Sequence, residues 1–477
     1  MSGDTRCGNP LHDLIVTGGT VVSPEQTDEM DIGVRDGKIV TLTDVGSLSD
    51  DTEQTIDASG QYVFPGFIDS HVHVKIPLGE FVTRDGFTDA TRAAAHGGTT
   101  TIVPFAIPDP DETPLEAYKR RRQDADGDVF TNYGLHACLT EVTETTLGEL
   151  PELIDRGAAS VKMFMVYEGR LMVSHGEIRD AFKTIEENDG LALIHAEDEE
   201  IIGHLIEQQV ERGETDYSVH PDMHPNVSET TAMWTIADLV EETDCPAFFV
   251  HVSTKEAQRV LESAADRELP LLAETCPHYL TLRREVYNRE DGEKFVCSPP
   301  IRSRENNNRL WEMLERGAIQ TVNSDHCGYD TEQKEQYRDD ITRMPMGLPG
   351  VETRNTVFYT DAVAEGRLPV ERFVDLTATN IAKMLGLYPH KGSISVGADA
   401  DLVIFDPEAE WTLEAEKLHM TTDYTPFAGK QMRGRPTATI VGGEVVVEDG
   451  TLVGEKVGDY VPTDGSNATQ TFRSRLK

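Results

Sequence analysis

The chain has 477 residues, with 85 Asp and Glu against 43 Lys and Arg, for a formal net charge of −42 at pH 7. A surface this acidic repels phosphate backbones and anionic membranes, which argues against nucleic-acid and membrane partners. The 38% hydrophobic content supports a sizeable core, either one large barrel-type domain or two to three smaller ones.

The basic residues comprise 14 Lys and 29 Arg. A large acidic excess with little Lys is the composition expected of a halophilic, high-salt cytoplasm, where ions screen the self-repulsion. Six cysteines without a C-x-x-C pair do not form a disulfide framework. Met1 to Leu11 is polar and has no signal-peptide apolar region, and no apolar run approaches ~18 residues. A reduced, cytoplasmic setting is expected.

In chain order, the first elements read as short strands. Residues 14–22, 31–34 and 38–43 are alternating or β-branched runs, broken by Gly18-Gly19 and Asp36-Gly37. The style returns at 401–405, 438–441 and 444–448, with Gly442-Gly443 as a hairpin-type turn. Strand-rich ends predict one β-sandwich built from both termini. Between them, eight short apolar runs recur, at 67–74, 99–106, 133–139, 160–166, 191–196, 248–253, 271–275 and 320–324. Helix-like stretches separate them, among them 86–95, 174–188, 229–242 and 255–266, and Ser174 with Glu177 forms a capping box. This alternation predicts an α/β fold with a (β/α)8 barrel; a doubly wound open sheet is the alternative. The expected division is 1–63 and 391–460 for the two parts of the sandwich, 64–390 for the barrel and 461–477 for a flexible tail.

Barrel chemistry sits at the C-terminal ends of strands. Strand one ends in Asp69-Ser70-His71-Val72-His73, and residues two apart face the same way, so His71 and His73 point inward together. Strand five ends at His195, strand six at His251 and strand eight at Asp325. Each alone reads as a hydrogen-bonded core residue. Four His and one carboxylate at equivalent strand ends read as the ligands of one or two divalent metals. Strand four ends at Lys162. An ammonium beside two dications loses its proton, and the neutral amine can add carbon dioxide to form a bridging carbamate. With that charge and Asp325, two dications retain a net positive charge suited to an oxyanion.

These residues lie in segments that resemble the cyclic amidohydrolases of the amidohydrolase superfamily, most closely the dihydropyrimidinase/hydantoinase branch. The matching segments are P-G-F-I-D-S-H-V-H at 65–73, G-G-T-T-T at 97–101, K-M-F-M-V-Y at 162–167, I-H-A-E at 194–197, V-H-V-S-T-K-E-A at 250–257, E-T-C-P-H-Y-L at 274–280, V-C-S-P-P-I-R at 296–302, Q-T-V-N-S-D-H-C at 320–327, G-L-P-G-V-E at 347–352 and G-A-D-A-D-L-V-I-F-D at 397–406. The resemblance implies a binuclear site, usually zinc, with ligands His71, His73, carboxylated Lys162, His195, His251 and Asp325. It implies substrate contacts at Tyr167, which helps hold the developing oxyanion, and at Ser298. Met346 stands where the branch commonly has Asn before G-L-P-G, at a contact made by the backbone. The implied reaction opens a dihydropyrimidine or hydantoin ring to an N-carbamoyl amino acid. The expected nucleophile is a metal-bridging hydroxide, with Asp325 as general base and then acid. Dihydroorotase or allantoinase is the alternative, and a non-catalytic scaffold relative the reading from another class; the complete ligand set argues against the scaffold. By analogy the expected assembly is a homotetramer.

Lys75 matches neither the hydantoinases nor the dihydroorotases. By parity it points inward, ~7 Å beyond His73, where it would read a substrate carboxylate. The competing reading ends the strand first and pairs Lys75 with Glu80 or Asp85. His278, His326, His220 and His224 are expected behind the ligands or at the surface.

Overall fold

The computed structural model describes residues 11–48, 52–78 and 80–465. Residues 1–10, within the polar start of the chain, and 466–477 of the expected tail lie outside the described residues.

Nine strands from the two chain ends share one hydrogen-bonded, mostly antiparallel sheet. The ends are joined where Tyr62–Pro65 runs antiparallel to Leu402–Thr412, with Leu402 opposite Pro65. Leu14, Val16, Ile32, Val63, Leu402, Ile404 and Ile440 pack in one buried cluster. The glycine pair at 18–19 does not end the first strand, as expected, but bulges it. The strand runs His12–Val22 with a register shift between Val16 and Gly19. A Cβ on Gly19 would sit 2.4 Å from Val63 Cγ2, so glycine permits the two strands to approach. Gly442 and Gly443 form the expected turn, both at positive φ, between Val441 and Glu444.

The central region holds eight parallel strands: Phe67–Val72, Thr99–Ala106, His136–Cys138, Val161–Phe164, Ala192–His195, Ala247–Phe249, Leu271–Thr275 and Thr321–Val322. Their residues are buried throughout, as expected of strands covered on both faces. Closure of the sheet into a barrel comes from Val72 bridging His326 and from His73 N–H donating to the His326 carbonyl at 2.6 Å. Below this seam the buried guanidinium of Arg354 donates to the Ile68 carbonyl at 2.5 Å and the Val322 carbonyl at 3.3 Å, tying the first and eighth strands together. Helices follow the strands, and Ser174 caps His175–Glu186 through the expected reciprocal bonds with Glu177.

Two segments differ from expectation. The third strand is split, with Asn132–Tyr133 pairing lower on the second strand than His136–Cys138. The chain's end explains the split: Tyr133 N–H donates to Asp459 O and its carbonyl accepts from Val461 N–H. For the same reason the start of the expected flexible tail is anchored, with Thr463 N–H also donating to Gly157 O. Among the described residues the five cysteines are free and buried, and no helix is long and apolar enough to cross a membrane.

Candidate active site

A cavity of about 350 Å³ opens at the C-terminal ends of the barrel strands. His71, His73, Lys162, His195, His251 and Asp325 all line it, together with Tyr167, Ser298 and Met346. The fold therefore brings every expected metal ligand and substrate contact to one concave surface.

His71 and His73 come from the end of the first strand, and their Nε2 atoms lie 3.1 and 3.3 Å from the same oxygen, Asp325 Oδ1. One donor atom from each of the three falls within 4.8 Å of the others. On the opposite side, His195 Nδ1 and His251 Nε2 stand 3.0 Å apart. Lys162, expected at the end of the fourth strand, is the second residue of that strand and lines the same cavity. It is fully buried, and among the described residues its Nζ has no hydrogen-bond partner.

Carboxylates behind the imidazoles orient them. Glu274, at the end of the seventh strand, accepts from His71 Nδ1, from the His251 backbone N–H at 3.1 Å and from Asn323 Nδ2 at 2.5 Å. Glu197 accepts from His195 Nε2 at 2.9 Å, from His224 Nδ1 at 3.0 Å and from Ser298 Oγ at 2.7 Å. Neither glutamate was assigned a role from sequence. The available signal was position: Glu197 follows His195 by two, and Glu274 closes a barrel strand.

Burial sets the protonation of the donors. It pulls the His73 imidazole down to about 4 and His251 well below its ordinary value, which favours the neutral form of both. Burial also lowers Lys162 to about 8, against the opposing pull of Glu274 and Asp325. Burial alone would raise the Asp325 carboxyl, but His71 and His73 outweigh it and hold the group well below the usual carboxylate range. Burial pushes the Tyr167 phenol well up, so it is a proton donor.

Three residues of the site carry backbone strain. Tyr167, His251 and Asp325 have φ of 74, 40 and 48°, a region that side chains rarely adopt and that costs about 1–3 kcal/mol each. The strain turns each side chain at a strand end or loop into the cavity. The donor set fits divalent metal: neutral imidazoles, one ionised carboxylate and a partnerless buried amine converge on one space.

Other expectations need correction. Lys75 does not share the inward direction of His71 and His73. The strand ends at Val72, Lys75 has a φ of 44°, and its exposed side chain does not line the cavity. Nor does it form the expected ion pair. Its backbone N–H donates to the Asp85 carbonyl, while Glu80 pairs with Arg343 and Asp85 with His326. None of the accessory histidines is at the surface: His220, His224, His278 and His326 are all buried.

The chain matches the amidohydrolase family over residues 62–446. It is 38% identical to the D-hydantoinase of Geobacillus stearothermophilus over 452 residues, covering 94% of this chain and 96% of that relative. It is likewise 38% identical to the D-hydantoinase of Streptomyces coelicolor over 455 residues, covering 94% of this chain and 97% of that one. Among solved structures, the dihydropyrimidinase from Brevibacillus agri superposes with a TM-score of 0.92 at 35% identity, covering 94% of this chain and 98% of that chain. The chain belongs to the amidohydrolase family.

Proposed function

We propose that the protein hydrolyses a cyclic amide, opening a dihydropyrimidine or hydantoin ring to an N-carbamoyl amino acid. The observation that carries this reading is the buried Lys162 amine, without a partner, at the centre of four histidines and Asp325. The relatives named above, hydantoinases and a dihydropyrimidinase, support the substrate class.

In this reading His71, His73, His195, His251, Asp325 and a carboxylated Lys162 would hold two divalent ions, zinc by resemblance. Bound ions of this kind supply Lewis acidity and activate water at neutral pH. The protein's own groups do the rest. Asp325, ionised and at the cavity floor, accepts a proton from the attacking water. The water oxygen bonds to the ring carbonyl carbon, and the C–N bond to the adjacent ring nitrogen breaks. Asp325 then returns the proton to that nitrogen, leaving a ureido group and a carboxylic acid, which releases its own proton to solvent at neutral pH. Tyr167 donates to the carbonyl oxygen as charge develops on it. Ser298, held by Glu197, and the backbone at Met346 orient the ring. A cavity of about 350 Å³ suits a small ring with a modest substituent.

The test is ring opening followed by absorbance, with dihydrouracil, hydantoin, dihydroorotate and allantoin compared in high salt with zinc. Turnover of dihydrouracil or hydantoin is expected; turnover of dihydroorotate or allantoin alone would replace this reading.

A further inference from the structure

Lys334 is a titratable group buried inside the protein that the reaction above does not use. It lies in the short helix Thr331–Glu335, after the eighth barrel strand, and its side chain is completely buried. Among the described residues no carboxylate forms an ion pair with it. Its Nζ instead donates to two backbone carbonyls, Val296 at 2.7 Å and Pro345 at 2.8 Å, and lies 5.5 Å from the centre of the Tyr329 ring.

Those carbonyls belong to two different segments of the cavity wall. Val296 precedes Cys297 and Ser298; Pro345 precedes Met346 and Gly347. Ser298, Tyr329, Pro345, Met346 and Gly347 all line the cavity. The segments touch directly at one further point, where Gly347 N–H donates to the Val296 carbonyl at 3.0 Å. At Gly347 the backbone passes so close to Cys327 that a Cβ would lie 2.6 Å from the Cys327 carbonyl oxygen. The wall is therefore assembled from pieces distant in sequence, and Lys334 is where they are fastened.

We propose that Lys334 is a positioning residue, whose amine N–H groups fix the spacing between the segments carrying Ser298 and Met346 and so shape the ring-binding wall. The residue type follows from the task. A buried amine is unfavourable unless its N–H groups are satisfied. Here two carbonyls and an aromatic face supply those partners. An apolar side chain of equal volume would take the Lys334 donor from the Pro345 carbonyl and leave the Val296 carbonyl with Gly347 N–H alone. This inference rests on the substrate contacts proposed above, but its geometry does not.

The experiment compares wild type with K334M and K334Q, all in the metal-loaded, full-length protein. Methionine keeps the volume and removes the donors; the glutamine amide can still donate to both carbonyls. The expected result for K334M is a KM for the ring raised about tenfold or more, a smaller change in kcat, and unchanged metal content. K334Q is expected to recover most of the KM. Hydrogen–deuterium exchange supplies a readout independent of turnover: exchange should rise in peptides covering 296–300 and 345–349 together, and not in 67–73. Wild-type KM in K334M, or exchange raised only within 331–335, would overturn the proposal. So would K334M and K334Q impaired alike with metal lost. Should K334M fail to fold, exchange in K334Q decides, with both segments expected nearer to wild type than to unprotected chain. Absence of wild-type turnover on every ring would sink the proposed function, while the exchange comparison would still judge Lys334.

Discussion

His195 Nε2 donates to Glu197 Oε2 at 2.9 Å, and this one bond decides which imidazole nitrogen faces the cavity, leaving Nδ1 3.0 Å from His251 Nε2. Glu197 has no exposed surface and also holds His224 and Ser298, so it couples the orientation of a donor to that of a substrate contact. Substituting Glu197→Gln removes the charge while keeping the size. The expected outcome is a ~10–100-fold loss in metal affinity or activity, the usual effect of losing a partner behind a ligand. Metal retained after dialysis against a chelator, measured beside kcat/KM, checks it; values equal to wild type would show that His195 needs no such support.

Lys162→Ala removes the amine that would carry the carbamate. Most bound metal should be lost, with activity down by more than the ~100-fold typical of residues behind the ligands. Short carboxylic acids added to the variant are expected to restore part of the activity by bridging in its place. A variant with full metal content and full turnover would rule out Lys162 as a ligand.

Lys75→Ala should affect an acidic and a neutral ring equally, and by no more than about twofold in kcat/KM, because surface changes away from special features alter little. The side chain is exposed and outside the cavity. A selective loss on dihydroorotate of one to two orders of magnitude, about 1.5–3 kcal/mol, would mean that the loop rearranges to bring Lys75 to the substrate.

Lys334 predicts a sign for stability against pH. Burial lowers its pKa from 10.5 to about 7 in the fold, against the pull of Cys297, Cys327 and Glu293. Between these values the unfolded chain binds the proton and the folded chain does not, so this group's contribution rises with pH. Burial pushes the facing Cys297 and Cys327 thiols up to about 12 and the Tyr329 phenol well above its ordinary value, so they stay neutral across the window. Glu293 is the facing acid. The difference in melting temperature between wild type and K334M should therefore grow from pH 7 to 10. A flat or shrinking difference would indicate that Lys334 keeps its proton.

The charge of −42 gives a salt prediction. The screening length falls from ~30 Å at 0.01 M to ~3 Å at 1 M, so repulsion among surface carboxylates weakens over that range. Melting temperature is expected to rise with molar potassium chloride. A flat or falling curve would remove the argument for a halophilic protein.

The sequence by itself determined the barrel, the sheet joining both ends and the six converging donors. Its information was local: buried parallel strands read as apolar runs, and most donors lie at the end of one or just past it, as His71, His195 and Asp325 do. Parity carried His71 and His73 correctly because they straddle a regular strand end. It failed two residues later, where Lys75 takes a positive φ and leaves the strand direction. What only the tertiary structure decided is which polar groups meet. Glu197 finds Ser298 from 101 residues away, Glu274 finds His71 across 203, and Lys334 joins carbonyls 38 and 11 residues distant. These partners leave no periodic trace, because a buried charge is placed by the groups that must satisfy it, and those groups become neighbours only when the barrel closes.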